Sequence, residues 1–503
     1  MTDRQTPWYR SGAALVLGAL IFPPAGLVLL WMRSPMGIIV RIFGSLVIAA
    51  IGVAHLFLFY GLHVEMDGTG MRPIFSFHKP SKHFEHVEEH RAAQEAPKVQ
   101  PAAAPEVVQA ATPAAAPVAA YWRDFRGPNR LGRYDEKPIL TNWPASGLER
   151  MWKQPIGGGY ASFTVAGGVA YTIEQRRANE VVAAYDVRTG RELWTNSWPA
   201  FFQESMGGDG PRATPIYDDG RVYALGAAGE FRAIDPATGR AIWNKNILRE
   251  NNAENITWGM SNAPLVVDGK VIVTPGGGKG RSIVAYDKVS GKLLWSSLDD
   301  KTSYTSPMVV TLNGKRQIIA VTATRAVGLT MEEGSLLWEY PWTTQYDINC
   351  AQPIVVAPNR FFISAGYGHG AAVVELTPDG AKYQAKTVWA NLRMKNKFNS
   401  SVLHEGHIYG LDEGILACVR ADNGEQPWKG GRYGYGQLLL ASGHLVVLAE
   451  NGDLALVRAT PSKHEELARF SAIDGKTWNH PVISDGILLV RNMTEMAAFR
   501  IAK

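Results

Sequence analysis

The sequence predicts an all-β chain, an eight-bladed β-propeller of four-stranded antiparallel blades, preceded by an N-terminal transmembrane helical hairpin. Two observations predict it. One short phrase recurs beyond position 120, as AYDVRTGRELW ending at Trp194, AIDPATGRAIW ending at Trp243 and AYDKVSGKLLW ending at Trp295. A repeat of this kind builds one sheet that buries its faces only by stacking on its neighbours, which is how a propeller ring forms. Ahead of the repeats lie two apolar runs, 11–32 and 36–62. Each is long enough to cross a hydrocarbon core of about 30 Å.

Taken in order, residues 1–10 form a tail and 11–62 two transmembrane helices. The first run, SGAALVLGALIFPPAGLVLLWM, carries no charge, and Pro23 and Pro24 remove two backbone donors near its middle. A kink or break is expected there. Two runs in tandem, separated by Arg33 and Arg41, distinguish an anchor from a cleaved leader. The two arginines place that short loop in the cytoplasm and everything after His63 outside, while Arg4 and Arg10 pull the other way.

Residues 63–120 are read as a polar juxtamembrane helix and a linker. In KPSKHFEHVEEH, His83, His86 and His90 fall at helical spacing. Such imidazoles can hold zinc or copper, but a solvated helix is the reading adopted. The Ala, Pro, Val and Gln that follow, up to Ala120, offer too few large apolar groups to offset ordering entropy, so an extended tether is expected.

Residues 121–503 hold the repeats. In AxDxxTGxxxW, alternating small and apolar residues make a half-buried strand, Asp and Thr-Gly make the turn, and Trp fills the wedge between blades. Hairpin signals precede each copy, as Asp-Gly in PIYDDGRVYAL and PLVVDGKVIVT. Weaker copies close at Trp338, Trp389 and Trp428, and LVRATPSKHEEL lacks its tryptophan. Counting from Ala161 gives seven copies, and 481–503 supplies three strands of an eighth. The missing outer strand is expected at 148–157, with Trp152 in the tryptophan position, closing the ring and covering its edges.

Composition bounds function. The net charge of +5 is small and gives no reason to expect nucleic acid. Cys350 and Cys418 lie in different repeats and are expected as buried free thiols, and the lack of CxxCH excludes covalent c-type haem.

The repeat resembles that of the pyrroloquinoline-quinone (PQQ) family across about 121–503, and YWRDFRGPNRLGRY and GDGPRATP resemble a bacterial subgroup of it. The resemblance implies one of two functions. One is a BamB-like scaffold without cofactor, here a protein or peptide binder anchored in the bacterial inner membrane with its propeller on the periplasmic side. The other is a PQQ- and calcium-dependent dehydrogenase of an alcohol or sugar. The scaffold is the reading adopted, with no cofactor expected, because short loops leave little to roof an active site. No lipid-attachment cysteine stands near the start, and the vicinal cysteine pair of many quinoprotein alcohol dehydrogenases is absent. An envelope sensor is a third reading, but it leaves nothing cytoplasmic to signal through.

In a propeller, the loops leading into the innermost strands crowd one mouth of the central channel. Those loops nominate Arg212, Thr214, Trp258, Asn262, Tyr304, Lys397, Asn399 and Trp478 as a binding set. In the dehydrogenase reading, Trp258 or Trp478 would be the quinone platform, Arg212 and Lys397 the cations, and Asp347 the catalytic base. Calcium wants six to eight oxygens, and these loops offer few acids beyond Glu204, Asp209 and Asp347. No dedicated metal site is expected.

Overall fold

The computed structural model describes residues 8–32, 36–66, 73–76, 80–94 and 120–502. It comprises two compact units, Met1–Glu85 with Ser205–Gly207, and His86–Glu204 with Gly208–Lys503.

In the first unit the expected crossing run 11–32 is divided. Helix Gly12–Ile21 starts at Ser11, whose Oγ accepts from the Ala14 amide at 3.1 Å, and ends at Phe22; Pro23–Met32 begins a second helix. Proline fits the first turn of a helix because its missing N–H is unpaired there anyway. Ten residues rise only about 15 Å, so neither helix crosses a bilayer alone. They fold together instead, and so closely that a Cβ on Gly26 would lie 2.5 Å from Ala19 Cα. The 21-residue helix Ile38–Leu58 packs beside them, its Ser45 accepting from Trp31 Nε1 at 3.0 Å. Among the described residues it is the one helix long and apolar enough to span. The apolar segment 11–62 therefore holds one spanning candidate preceded by short helices.

The second unit is the propeller, with eight antiparallel blades as the repeats predict. Blade 1 runs from Thr164–Ala166 to Glu192–Pro199, and blades 2 to 7 follow in chain order, ending with Glu466–Ser471. Blade 8 takes Val482–Ser484, Ile487–Arg491 and Glu495–Arg500, and its outer strand is Glu149–Pro155, inside the expected segment 148–157.

Each part of the repeat has a mechanical role. Asp186 Oδ1 accepts from the Thr189 amide and hydroxyl, both at 2.8 Å, fixing the turn that Gly190 completes at φ +73°. In every blade the register slips by a residue between the third and outer strands. A bulge re-aims the side chain beside it. The residue so placed is Trp194 opposite Ala184, Trp243 opposite Ala233 and Trp152 opposite Ala498. These indoles reach the next blade's turn: Trp194 Nε1 donates to Pro236 O at 2.8 Å, and Trp152 Nε1 to Val187 O at 2.9 Å. The turn glycine is required by contact, since a Cβ on Gly239 would sit 2.8 Å from the Trp194 ring.

Trp338 departs from this pattern. Its Nε1 donates to Gln317 of its own blade at 2.5 Å, and its ring stacks on Phe361 of blade 5 at 4.9 Å. Blade 5 replaces the short turn with a hairpin of two ten-residue strands, Gly370–Asp379 and Lys382–Asn391, so the usual docking turn is missing. Blade 7 has Ala468 in the tryptophan position. Cys350 and Cys418 are free thiols.

Candidate functional site

The loops leading into the innermost strands build two layers. The deeper layer is a belt of side chains that staple one loop to the next. Thr214 Oγ1 accepts from the Ser162 amide at 2.9 Å, Ser306 Oγ from the Ala263 amide at 2.8 Å, and Gln352 Oε1 from the Ser306 amide at 2.9 Å. Asn262 Nδ2 donates to Ser303 O and Thr305 O at 2.9 and 2.8 Å, and Asn479 Nδ2 to Gly159 O and Ala161 O. Asn399 Oδ1 accepts from Asn396 Nδ2 at 3.1 Å. Of the nominated residues, Thr214 and Asn262 thus lie in the belt, whereas the bond of Asn399 is made within its own loop.

Below the belt the channel is closed by the chain's own segment 121–134. The Trp122 and Arg123 carbonyls accept from the innermost-strand amides of Val165 and Tyr217, each at 2.9 Å, and Arg133–Tyr134 adds a parallel fifth strand to blade 7. Two buried arginines reach across. Arg126 donates to Ser401 O at 2.8 Å, while Arg130 donates to Ala263 O at 3.1 Å and to Pro264 O and Pro307 O, with Asp124 at 2.9 Å. Three blades are thereby tied to one tip. Burial pushes the Arg126 guanidinium down, and burial beside Arg126 holds His480 neutral, well below the usual imidazole range. Gly127 stands where a Cβ would strike the Trp122 ring at 2.9 Å.

The outer layer is a wall of aromatic and cationic side chains, to which the entry loops of seven blades contribute together with Tyr367, in the turn between the second and third strands of blade 5. Tyr160 lies 5.0 Å from Trp478, Trp478 4.3 Å from Phe398, and Phe398 5.5 Å from Tyr435. Lys397 Nζ sits 4.6 Å over Tyr435 and 4.8 Å over Tyr367, and the Arg212 guanidinium 5.5 Å over Tyr160 and 4.9 Å over Phe202. Trp258 and Tyr304 pair at 5.8 Å on the remaining side. Burial raises the Tyr304 phenol, with smaller effects from Cys350, Arg212 and Asp347; burial also pushes the Cys350 thiol up to about 12. Arg212, Trp258, Tyr304, Lys397 and Trp478 are thus brought into one wall. Asp347 stands apart, in an open cleft of about 510 Å³ with Asp299, Asp300, Lys301 and Arg325.

Sequence reasoning missed Tyr160, Phe398 and Tyr367, and the two carboxylates behind the wall. Glu450 accepts from Trp478 Nε1 at 2.8 Å and from the Tyr435 amide at 3.1 Å; Glu413 accepts from the Tyr435 hydroxyl at 3.0 Å. Phe398 was legible beside Lys397 in NKFNSS, and Tyr160 in GGGYASF, at the position Arg212 takes one loop later.

A calcium–quinone pair does not fit these residues. Calcium requires several converging carboxylate oxygens, and among the described residues no three His, Cys, Asp or Glu side chains are placed to hold a metal. Glu450 and Glu413 already accept from wall residues. Of the two candidate platforms, the Trp478 indole already carries Phe398, Tyr160 and, 4.7 Å away, Lys476 Nζ, and the Trp258 indole meets the Tyr304 ring edge-on at 5.8 Å.

Comparison with known proteins places the fold. Residues 178–430 match the family PQQ_2, described as outer membrane protein assembly factor BamB. The chain belongs to that family. Curated relatives of this PQQ_2 protein include 1-butanol dehydrogenase (cytochrome c) of Thauera butanivorans, 28% identical over 33% of this chain and 24% of that protein. Quinohemoprotein alcohol dehydrogenase of Comamonas testosteroni is 33% identical over 23% of this chain and 16% of that protein. The matches thus span a quarter or less of those relatives. Among solved structures, a quinohemoprotein alcohol dehydrogenase from Pseudomonas putida HK5 aligns with TM-score 0.53 at 13% identity, covering 76% of this chain and 80% of that one. BamB from Moraxella catarrhalis aligns with TM-score 0.49 at 14% identity, covering 70% and 99%. The likeness to the quinohemoprotein structure, at such identity, speaks to the propeller fold alone.

Proposed function

We propose that this PQQ_2 protein is a membrane-anchored scaffold that holds an extended segment of another protein in its funnel, without turnover. The observation that carries the reading is the blind aromatic funnel: side chains from all eight blades line it, a chain segment floors it, and its carboxylates Glu413 and Glu450 are engaged with wall residues. Exposed apolar groups on the same loops extend the surface outward, with Phe201, Tyr346 and Leu392 at 51%, 73% and 64% exposure. Apolar patches bordered by polar groups suit protein contact. Helix Ile38–Leu58 is the anchor in this reading, in the bacterial inner membrane, and the arginines Arg33 and Arg41, placed in the sequence just before and within its first turn, favour a periplasmic propeller.

The second reading, a PQQ- and calcium-dependent alcohol or sugar dehydrogenase with Asp347 as base, is favoured by the names of the curated relatives. It requires a cofactor site that the wall residues do not fit. A photo-crosslinking residue at Tyr435 in the full chain, with another at the outer-strand position Leu467 as control, tests the scaffold. The scaffold predicts one recurrent protein segment captured from Tyr435 alone, displaced by a synthetic peptide of that segment and lost in Trp258→Ala. Equal capture at both positions, or no displacement by the peptide, would contradict it.

A further inference from the structure

Residues 86–94 take no part in the funnel, yet they are built into the propeller. Val87 is fully buried. Glu88 accepts from Arg177 through both oxygens, each at 2.8 Å. Arg91 donates to Pro155 O at 2.6 Å, lies 3.4 Å from Glu192, and stacks 5.1 Å over the Tyr185 ring with only 8% of its side chain exposed. Gln94 donates to Gln154 Oε1 at 3.3 Å and accepts from the Glu192 amide at 2.9 Å.

These partners straddle one junction. Gln154 and Pro155 belong to the strand that closes blade 8, whereas Arg177, Tyr185 and Glu192 belong to blade 1. Val87, Glu88 and Arg91 lie on the last turns of the helix Pro80–Ala92, and beneath them lies a buried charge cluster. Glu174 accepts from Arg176 Nε at 2.7 Å, from the Tyr185 hydroxyl at 2.9 Å and from the Gly157 amide at 2.7 Å; Arg176 also pairs with Glu192. Arg91 brings another cation to these two carboxylates and, with Arg176 and Arg491, lowers the Glu174 pKa against the burial that would raise it. A buried carboxylate cluster of this kind loses much when one partner is withdrawn.

We propose that residues 86–94 form a clasp over the junction where the ring closes, so that the chain is fastened to the propeller before the Ala/Pro-rich tract begins. The tract lies outside the described residues, but both its flanks are on the propeller: Gln94 at the junction, and Ala120 against the cluster between blades 1 and 2 that holds Tyr171 and Tyr217. It therefore does not bear the connection between anchor and propeller. That role falls to residues 59–85.

The test uses the full chain in detergent micelles with a protease recognition sequence inserted between Ala103 and Ala104. After cleavage, the N-terminal piece is expected to co-elute with the propeller on size exclusion. Arg91→Ala combined with Glu88→Lys should raise the concentration at which the pieces part by at least tenfold, with the near-ultraviolet circular dichroism of the propeller unchanged. If that double variant misfolds, Glu88→Lys alone, at a half-exposed pair, is read in its place. Separation of the wild-type pieces on cleavage, or unchanged co-elution of the folded variant, would overturn the clasp.

Discussion

At the scale of single residues, the docking tryptophan and its glycine hold neighbouring blades together. Removing an indole costs its packing and leaves a cavity, and here it also strips a donor from a turn carbonyl. Trp194→Ala should lower stability by about 3 kcal/mol in urea unfolding, and Gly239→Ala should also destabilise because the added methyl meets that ring. A second residue sets a pH dependence. Burial between blades 1 and 2 raises the Glu180 carboxyl to about 7, Glu230 adds to the rise, and donors from Ala227 N and Trp198 Nε1 oppose it. Arg232, over Trp198 at 4.4 Å, is paired with Glu230. Because the unfolded carboxyl titrates near its ordinary value of 4.5, the stability contributed by neutral Glu180 is full below that pH and is lost as pH rises through about 7. Thermal melts should fall between pH 5 and pH 8 for the wild type, and Glu180→Gln should flatten the profile. A wild-type profile identical to that of Glu180→Gln would remove Glu180 from the account.

At the scale of elements, the closing strand and the floor segment decide whether the ring holds. The strand Glu149–Pro155 was legible because Trp152 sits in the repeat's tryptophan position, and blade 8 otherwise lacked an outer strand. The floor was not legible as a floor. YWRDFRGPNRLGRY carries no repeat pattern, and its arginines find carbonyls of blades 3, 4 and 6, contacts that only the closed ring brings together. The break at Pro23 could be read from proline chemistry, but the folding back of the two helices depends on the Gly26–Ala19 approach, which hydropathy does not register. The contacts of residues 86–94 were not legible for a related reason, since these polar residues look solvated until Arg177 and Glu192 are placed beside them. Withdrawing Arg130 leaves several buried carbonyls without a donor, so Arg130→Met should cost about 3–5 kcal/mol in chemical unfolding. Arg133→Ala, at an exposed pair with Asp135, should change stability little.

At the scale of the whole molecule, repetition makes the ring and departures from repetition make the function. The belt residues Thr214, Asn262 and Asn479 and the wall residues Arg212, Trp258 and Trp478 share the same loops, and the sequence does not separate them because both layers are polar or aromatic residues a few positions apart. Only the fold sorts those that staple neighbouring loops from those that line the mouth. The account stands on that mouth being a protein-binding funnel whose wall residues do not accept a quinone and calcium. The most direct measurement is an equilibrium titration of the full chain, purified in detergent, with PQQ in the presence of calcium, followed by absorption and by tryptophan fluorescence. The account predicts no saturable change up to millimolar PQQ. Saturation at one PQQ per chain that requires calcium and is lost in Lys397→Ala would contradict it.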